Sequence, residues 1–224
     1  KSMTTVTIHQ PDFLPWLGFF DRWAASDVFI VLDDVQFLRQ GWHHRDKIKT
    51  AGGVSWLTVP VLKKGKYSQQ INEVELDNEQ NWKRKHLNAI AAAYGKAPNF
   101  KIVFSELENI YKREHKLLMH FSMDLMKWCA GLLGMHAPMQ IASKYELEST
   151  KTQRLVDLVQ AVEGTGYLCG TGSSDYLDEN LFNAAGIEVI WQEFEHPVYP
   201  QLHGAFEKGM SVIDFLMNAP KYKI

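Results

Sequence analysis

Residues 5–37 read TVTIHQPDFLPWLGFFDRWAASDVFIVLDDVQF, and the order of their patterns decides the fold class. TVTIH is short and β-branched, so it predicts a strand beginning near Thr5. Pro11 and Pro15 exclude a regular strand or helix interior between them. A helical pattern runs from about Trp16 to Ala25 and closes at Ser26-Asp27. DVFIVLDDVQF follows as a continuous apolar run, as expected for a strand buried on both faces. Strand, loop, helix and strand in this span form a βαβ unit, which implies a parallel α/β sheet. A turn needs only glycine, proline or a small polar residue. His9, Gln10 and Trp16 exceed that need and are candidate binding residues.

Working outward, residues 41–76 carry strand-like pieces around a Gly-Gly turn and a Lys-Lys-Gly-Lys tip. The pattern predicts strands at 46–49, 55–61 and 71–76, with a flexible basic loop at 63–66. The middle is helical. NWKRKHLNAIAAAYG spaces Trp82, Leu87, Ile90 and Tyr94 on one face and stops at Gly95. NFKIVFSELENIYK and HKLLMHFSMDLMKWCAGLLG continue as helices. A short strand at 139–142, the helix TKTQRLVDLVQAVEG, the strand GYLCG, the short helix NLFNAAG and the strand IEVIWQEF follow. SVIDFLMNA is a last helix capped by Ser211. The reading is α/β: a single domain over 4–224 with a parallel Rossmann-like sheet. It carries a small β region at about 41–76 and a helical insertion at about 80–135.

Composition is that of an ordinary globular chain, with 46% hydrophobic and 22% charged residues. A formal charge of −2 argues against general affinity for DNA or RNA backbone, though a local basic groove stays open. Cys129 and Cys169 form neither a CxxC pair nor a disulfide framework, which suits a reducing, cytoplasmic setting. No apolar run reaches transmembrane length and no signal peptide opens the chain, so no membrane insertion is expected. The opening KSM reads as extra residues ahead of a native Met3.

GYLCGTGSSDYLDENLF repeats the strand, polar turn, helix order. Glycines and hydroxyls ahead of a helix can present N–H groups to an anion, commonly phosphate; a tight turn capped by Ser173, Ser174 or Asp175 is the plainer alternative. Ligands of open parallel sheets sit outside the carboxyl ends of strands. His9, Gln10 and Trp16 would then share a nucleotide or nucleotide-sugar pocket with Gly170, Thr171, Gly172 and Ser173. Asp33, Asp34 and Gln36 end the second strand near the same edge. Asp33 or Asp34 would bind a metal or a sugar hydroxyl or act as a base, or else one caps the next segment and one pairs with an arginine. Arg45, Lys47 and Lys49 alternate on one strand and would form a basic row for phosphates, or a solvated face. His196, Tyr199, Gln201 and His203 lie on a proline-rigid segment; His203 is a candidate base, and no metal site is expected. Met119, Met123, Met126, Trp128 and Cys129 read as core, and Cys169 as a buried strand cysteine.

Together IHQPDFLPWLGFFDRWAASDVFIVLDDVQF, WHHRDKIKT, WLTVPV, YLCGTGSSDYLDENLFNAAGIEV and HPVYPQLHGAFEKGMSVIDFLMN resemble the WbqC-like protein family from Thr5 to about Asn218. The resemblance implies an accessory enzyme of bacterial surface-polysaccharide (O-antigen type) biosynthesis, working in the cytoplasm. It further implies N-acylation or aminoacylation of a nucleotide-linked amino sugar. His44 and Asp46 stand where the family usually favours Asn, which bears on substrate preference. A fainter similarity to nucleotidyltransferase-like folds, including pantothenate synthetase, implies an ATP-dependent alternative. Pro15-Trp16-Leu17-Gly18 replaces the HxGH motif there. The transferase reading assigns His9 or His203 as base, with Asp33 beside them, and residues 170–173 as oxyanion donors. Its second ligand is an activated acyl donor or Mg-ATP. A noncatalytic nucleotide-sugar binding protein is the competing class.

Overall fold

The computed structural model describes residues 2–224. The strands are β1 (Thr5–His9), β2 (Val28–Val31), β3 (Arg45–Thr50), β4 (Gly53–Thr58), β5 (Met139–Ile141), β6 (Gly166–Cys169) and β7 (Glu188–Trp191). The helices are α1 (Leu17–Ala24), α2 (Trp82–Tyr94), α3 (Phe100–Tyr111), α4 (Leu118–Leu132), α5 (Lys151–Ala161), α6 (Glu179–Ala184) and α7 (Val212–Asn218). The chain divides into two compact units. No helix among the described residues is long and apolar enough to cross a membrane.

The first unit holds the described residues up to Gln10, Gly18–Asp34 and Met135–Glu195. Its five-stranded sheet runs β5-β2-β1-β6-β7, and each pair is parallel. The predicted parallel α/β sheet is therefore present. Val6, Ile8 and Ile30 pack with Val156 and Val159 of α5, Tyr167 of β6 and Phe182 of α6 in one core. Phe19 and Trp23 of α1 lie against Phe29, at ring separations of 5.3 and 4.7 Å. The apolar run after Asp27 gives a strand of only four residues, β2. Leu32 N still donates to the His9 carbonyl at 2.8 Å, but Asp33 and Asp34 then turn to side-chain partners and end the ladder. Asp178 caps α6 by accepting from Asn180 N at 3.1 Å.

The second unit holds Pro11–Leu17, Val35–Gly134 and His196–Ile224. It contains the β3–β4 antiparallel hairpin with α2, α3, α4 and α7. The hairpin turns at Gly53, whose φ of +111° strongly favours glycine. Phe13 is fully buried and stacks on Phe121 of α4 at 6.1 Å, so the proline-bracketed segment 11–17 supplies core to this unit. The strand expected at 71–76 is absent. Ile71–Glu73 is a single 3-10 turn in which Glu73 N donates to Gln70 O and Val74 N to Ile71 O. Leu76 N instead bonds the Lys116 carbonyl, and Val61 meets Leu76 in one isolated bridge. Local turn bonds thus consume donors a strand would need. Ser211 caps α7 as expected, accepting from Ile213 N at 3.2 Å.

Candidate functional site at the carboxyl edge of the parallel sheet

In the first unit, β1 leads to β2 on one side while β6 lies on its other side and leads to β7. The strand order therefore reverses between β1 and β6, the switch point at which open α/β sheets bind ligands. His9 and Gln10 leave β1 at this edge, and Gly170 leaves β6 beside it. Thr7 Oγ1 ties the two strands by donating to the Leu168 carbonyl at 2.9 Å. His9 Nδ1 lies 2.8 Å from the Gln10 carbonyl, so Nδ1 carries a proton and donates it there. Its ring meets Phe19 edge-on at 4.9 Å.

Gly170 caps a 3-10 turn, Thr171–Ser173. Ser173 N donates to Gly170 O and Ser174 N to Thr171 O, so those N–H groups are used within the turn. The N–H groups of Thr171 and Gly172 make no such bond. A side chain at Gly170 would stand 3.3 Å from Arg22 Nη1, so the bare glycine lets a buried guanidinium lie directly against the loop. Arg22 escaped the sequence reading because it lies in the last turn of α1, far along the chain from Gly170, and only folding brings the two together. Burial pushes the Cys169 thiol up to about 12, which fits a structural strand cysteine.

Both aspartates after β2 have partners. Asp33 accepts from Ser143 N at 2.9 Å and Ser143 Oγ at 2.6 Å, and Asp34 pairs with Arg154. Asp34 has the arginine partner that the plainer alternative expected, whereas Asp33 reaches the turn after β5 and does not cap the segment that follows it.

The remaining candidates belong to the second unit. Trp16 is partly exposed, bridges Ser211 and stacks on His196 at 6.5 Å. Gln36 lines a cleft of about 490 Å³ with Arg39 and Tyr67. Arg45 donates to the Gly41 and Gln40 carbonyls and lies over Trp56. Tyr199 Oη and Gln201 Nε2 each donate to Asp214 Oδ2 at 2.7 Å. His203 Nε2 donates to the Ala93 carbonyl at 2.6 Å, holding its loop to α2. The expected basic row is shortened. Lys49 is 3% exposed, and its Nζ donates to Gln201 Oε1, Gly204 O and Ala205 O, so only Arg45 and Lys47 remain on the open face.

A buried polar cluster lies around β3, and it includes His44 and Asp46, the two departures from the family pattern, each 2% exposed. His43 Nδ1 lies 3.1 Å from Asp12 Oδ1, and both are buried. Asp46 accepts from Lys47 N at 2.7 Å, and burial pushes its carboxyl up to about 8. Burial, with Lys63 adding, lowers His44 to about 4. Consecutive polar residues in WHHRD hid the inward row, because alternation is legible only when the buried positions are apolar. Among the described residues, no three His, Cys, Asp or Glu side chains gather as metal ligands.

The model of the WbqC-like protein family matches residues 10–224. A curated relative, the uncharacterized protein Rv1507c of Mycobacterium tuberculosis, is 35% identical over 226 residues, covering 98% of this chain and 97% of the relative. No solved structure matches the chain. With the match spanning nearly the whole sequence, the chain belongs to the WbqC-like protein family.

Proposed function

We propose that the protein transfers an acyl or aminoacyl group to the amine of a nucleotide-linked amino sugar, in the cytoplasm, during bacterial surface-polysaccharide biosynthesis. The observation that carries this reading is the adjacency of β1 and β6 at the switch point, which brings His9-Gln10 and residues 170–173 to one edge. The acceptor amine attacks the acyl carbonyl. His9 Nε2 takes the proton the amine loses and returns it to the departing group of the donor. The N–H groups of Thr171 and Gly172, with Arg22 behind Gly170, favour the oxyanion that forms. Gln10 and Ser173 orient the sugar and its phosphates.

The test has two parts. Thermal unfolding is followed with Mg-ATP, coenzyme A and several nucleotide-amino sugars. Saturating ligand at about a hundredfold excess over Kd stabilises by about 2.7 kcal/mol. Mass spectrometry then follows acyl addition to the nucleotide-sugar that binds. His9→Gln is expected to keep binding and to lose transfer. Full turnover by a folded His9→Gln removes the base assignment, and a shift with Mg-ATP alone favours the ATP-dependent alternative.

A further inference from the structure

We propose that the exposed face of the β3–β4 hairpin, formed by Arg45, Lys47 and Trp56, together with Trp42 just ahead of β3, is a stacking platform for a nucleotide-type ligand, a planar base carrying phosphates. The inference does not depend on the acyl-transfer reading. Trp42 and Trp56 keep 47% and 45% of their surface exposed. Their rings lie 5.4 Å apart at 44°, adjacent but not stacked on each other. The inward row of the hairpin, Asp46, Ile48 and Leu57, is buried, so packing does not demand indoles on the outward face. Two adjacent exposed tryptophans, Trp56 on β4 and Trp42 just ahead of β3, are a costly apolar surface unless something covers them.

The charges on that face have one sign. Lys47 is the cross-strand partner of Trp56, and its Nζ lies 5.7 Å from the Trp42 ring centre. The Arg45 guanidinium lies 4.1 Å over the Trp56 ring and is pinned there by the Gly41 and Gln40 carbonyls. Neither cation has a carboxylate partner among the described residues. Asp46, between them in sequence, points inward at 2% exposure. Aromatic rings and guanidinium planes both stack nucleobases, and the cations pair with phosphates. A neutral sugar would cover the indoles and leave the cations unanswered. A small aliphatic anion would pair with the cations and leave the indoles in water. A nucleotide answers both, which selects it on charge and shape.

The probe is ADP, titrated by calorimetry and by NMR of the indole N–H signals, with Trp42→Phe and Trp56→Phe identifying the two resonances. ADP is expected to shift both signals saturably. Adenosine and ribose 5-phosphate are each expected to bind at least tenfold more weakly than ADP. Lys47→Glu and Trp56→Ala are expected to weaken ADP at least tenfold, and Lys47→Gln, a change at a partly exposed side chain, keeps the test open if Trp56→Ala does not fold. The proposal falls if the two indole signals stay still at saturating ADP, if Lys47→Glu and Lys47→Gln bind ADP like the original chain, or if glucuronate binds as tightly as ADP. Because the indole signals report only this hairpin, ADP bound elsewhere overturns the platform and leaves the transfer reading standing.

Discussion

His43 Nδ1 faces Asp12 Oδ1 at 3.1 Å, and the other nitrogen of the same ring, Nε2, is buried with no hydrogen-bond partner among the described residues. This pair ties the segment between Pro11 and Pro15 to the turn ahead of β3, alongside the bond from Phe13 N to the Trp42 carbonyl. Asp12→Ala leaves a second buried nitrogen of His43 without a partner. It is expected to destabilise the protein by about 1–3 kcal/mol, and Asp12→Asn, which keeps an acceptor oxygen, by less. Urea unfolding of both variants checks the order.

Opposed titrations shape stability against pH. Burial raises Asp46 from 3.8 to about 8, so the folded chain holds a proton that the unfolded chain releases. This contribution is complete below about pH 4 and is lost as pH rises through about 8. Asp46→Asn can keep the acceptor for Lys47 N without the charge. It is expected to add about 2 kcal/mol or more near pH 9 and little near pH 4. Denaturant midpoints at the two pH values test it.

On the acid side, burial lowers His44 and His86 from 6.5 to about 4. Their neutral forms are favoured by folding, so the contribution is complete above pH 6.5 and is lost as pH falls through about 4. His86 lies 2.9 Å from the Tyr111 hydroxyl and 2.6 Å from the Thr58 carbonyl; the carbonyl favours the protonated ring, and burial outweighs it. NMR titration of the imidazole signals is expected to show both rings neutral at pH 5.5; a midpoint near 6.5 for either ring contradicts this.

Gly164 sits where any side chain collides. A methyl group there would lie 2.5 Å from Val6 Cγ2 and 2.8 Å from Val159 Cγ1. Gly164→Ala is expected to cost about 1–3 kcal/mol by overpacking the core of the parallel sheet. Gly172→Ala meets nothing within 4 Å and is expected to be close to neutral for stability. Thermal midpoints compare the two directly.

Lys49 anchors the loop after Gln201 through three acceptors, among them Gly204 O at 3.1 Å. Lys49→Met is expected to leave those carbonyls unsatisfied, to cost about 1–3 kcal/mol, and to make the loop around Gly204 a site of proteolysis. Limited proteolysis with mass mapping of the first cut checks it.

Much of the fold was legible along the chain because its signals are local. TVTIH, the prolines, the amphipathic helices and the apolar run at Val28 each state a backbone preference, and together they imply the parallel sheet. Residues 71–73 misled because INEVEL alternates like a strand, while Gln70 and Glu73 cap a turn and Lys116 takes the bond that a neighbouring strand would take. The edge carrying His9 and Gly170 was legible because each turn follows its own strand. The roles of individual polar residues were not. Lys49 reads as a phosphate ligand until the carbonyls near Gly204 are seen to occupy it, and the end of β2 gives no sign that Asp33 accepts from the Ser143 hydroxyl. By itself the sequence determined the class of fold, the family and which turns carry surplus polar groups, since backbone propensity and motif are written in neighbouring residues. Only the tertiary structure decided which of those groups are consumed by folding, because a hydrogen bond from Arg154 to Asp34, or a guanidinium laid on Gly170, joins residues more than a hundred positions apart.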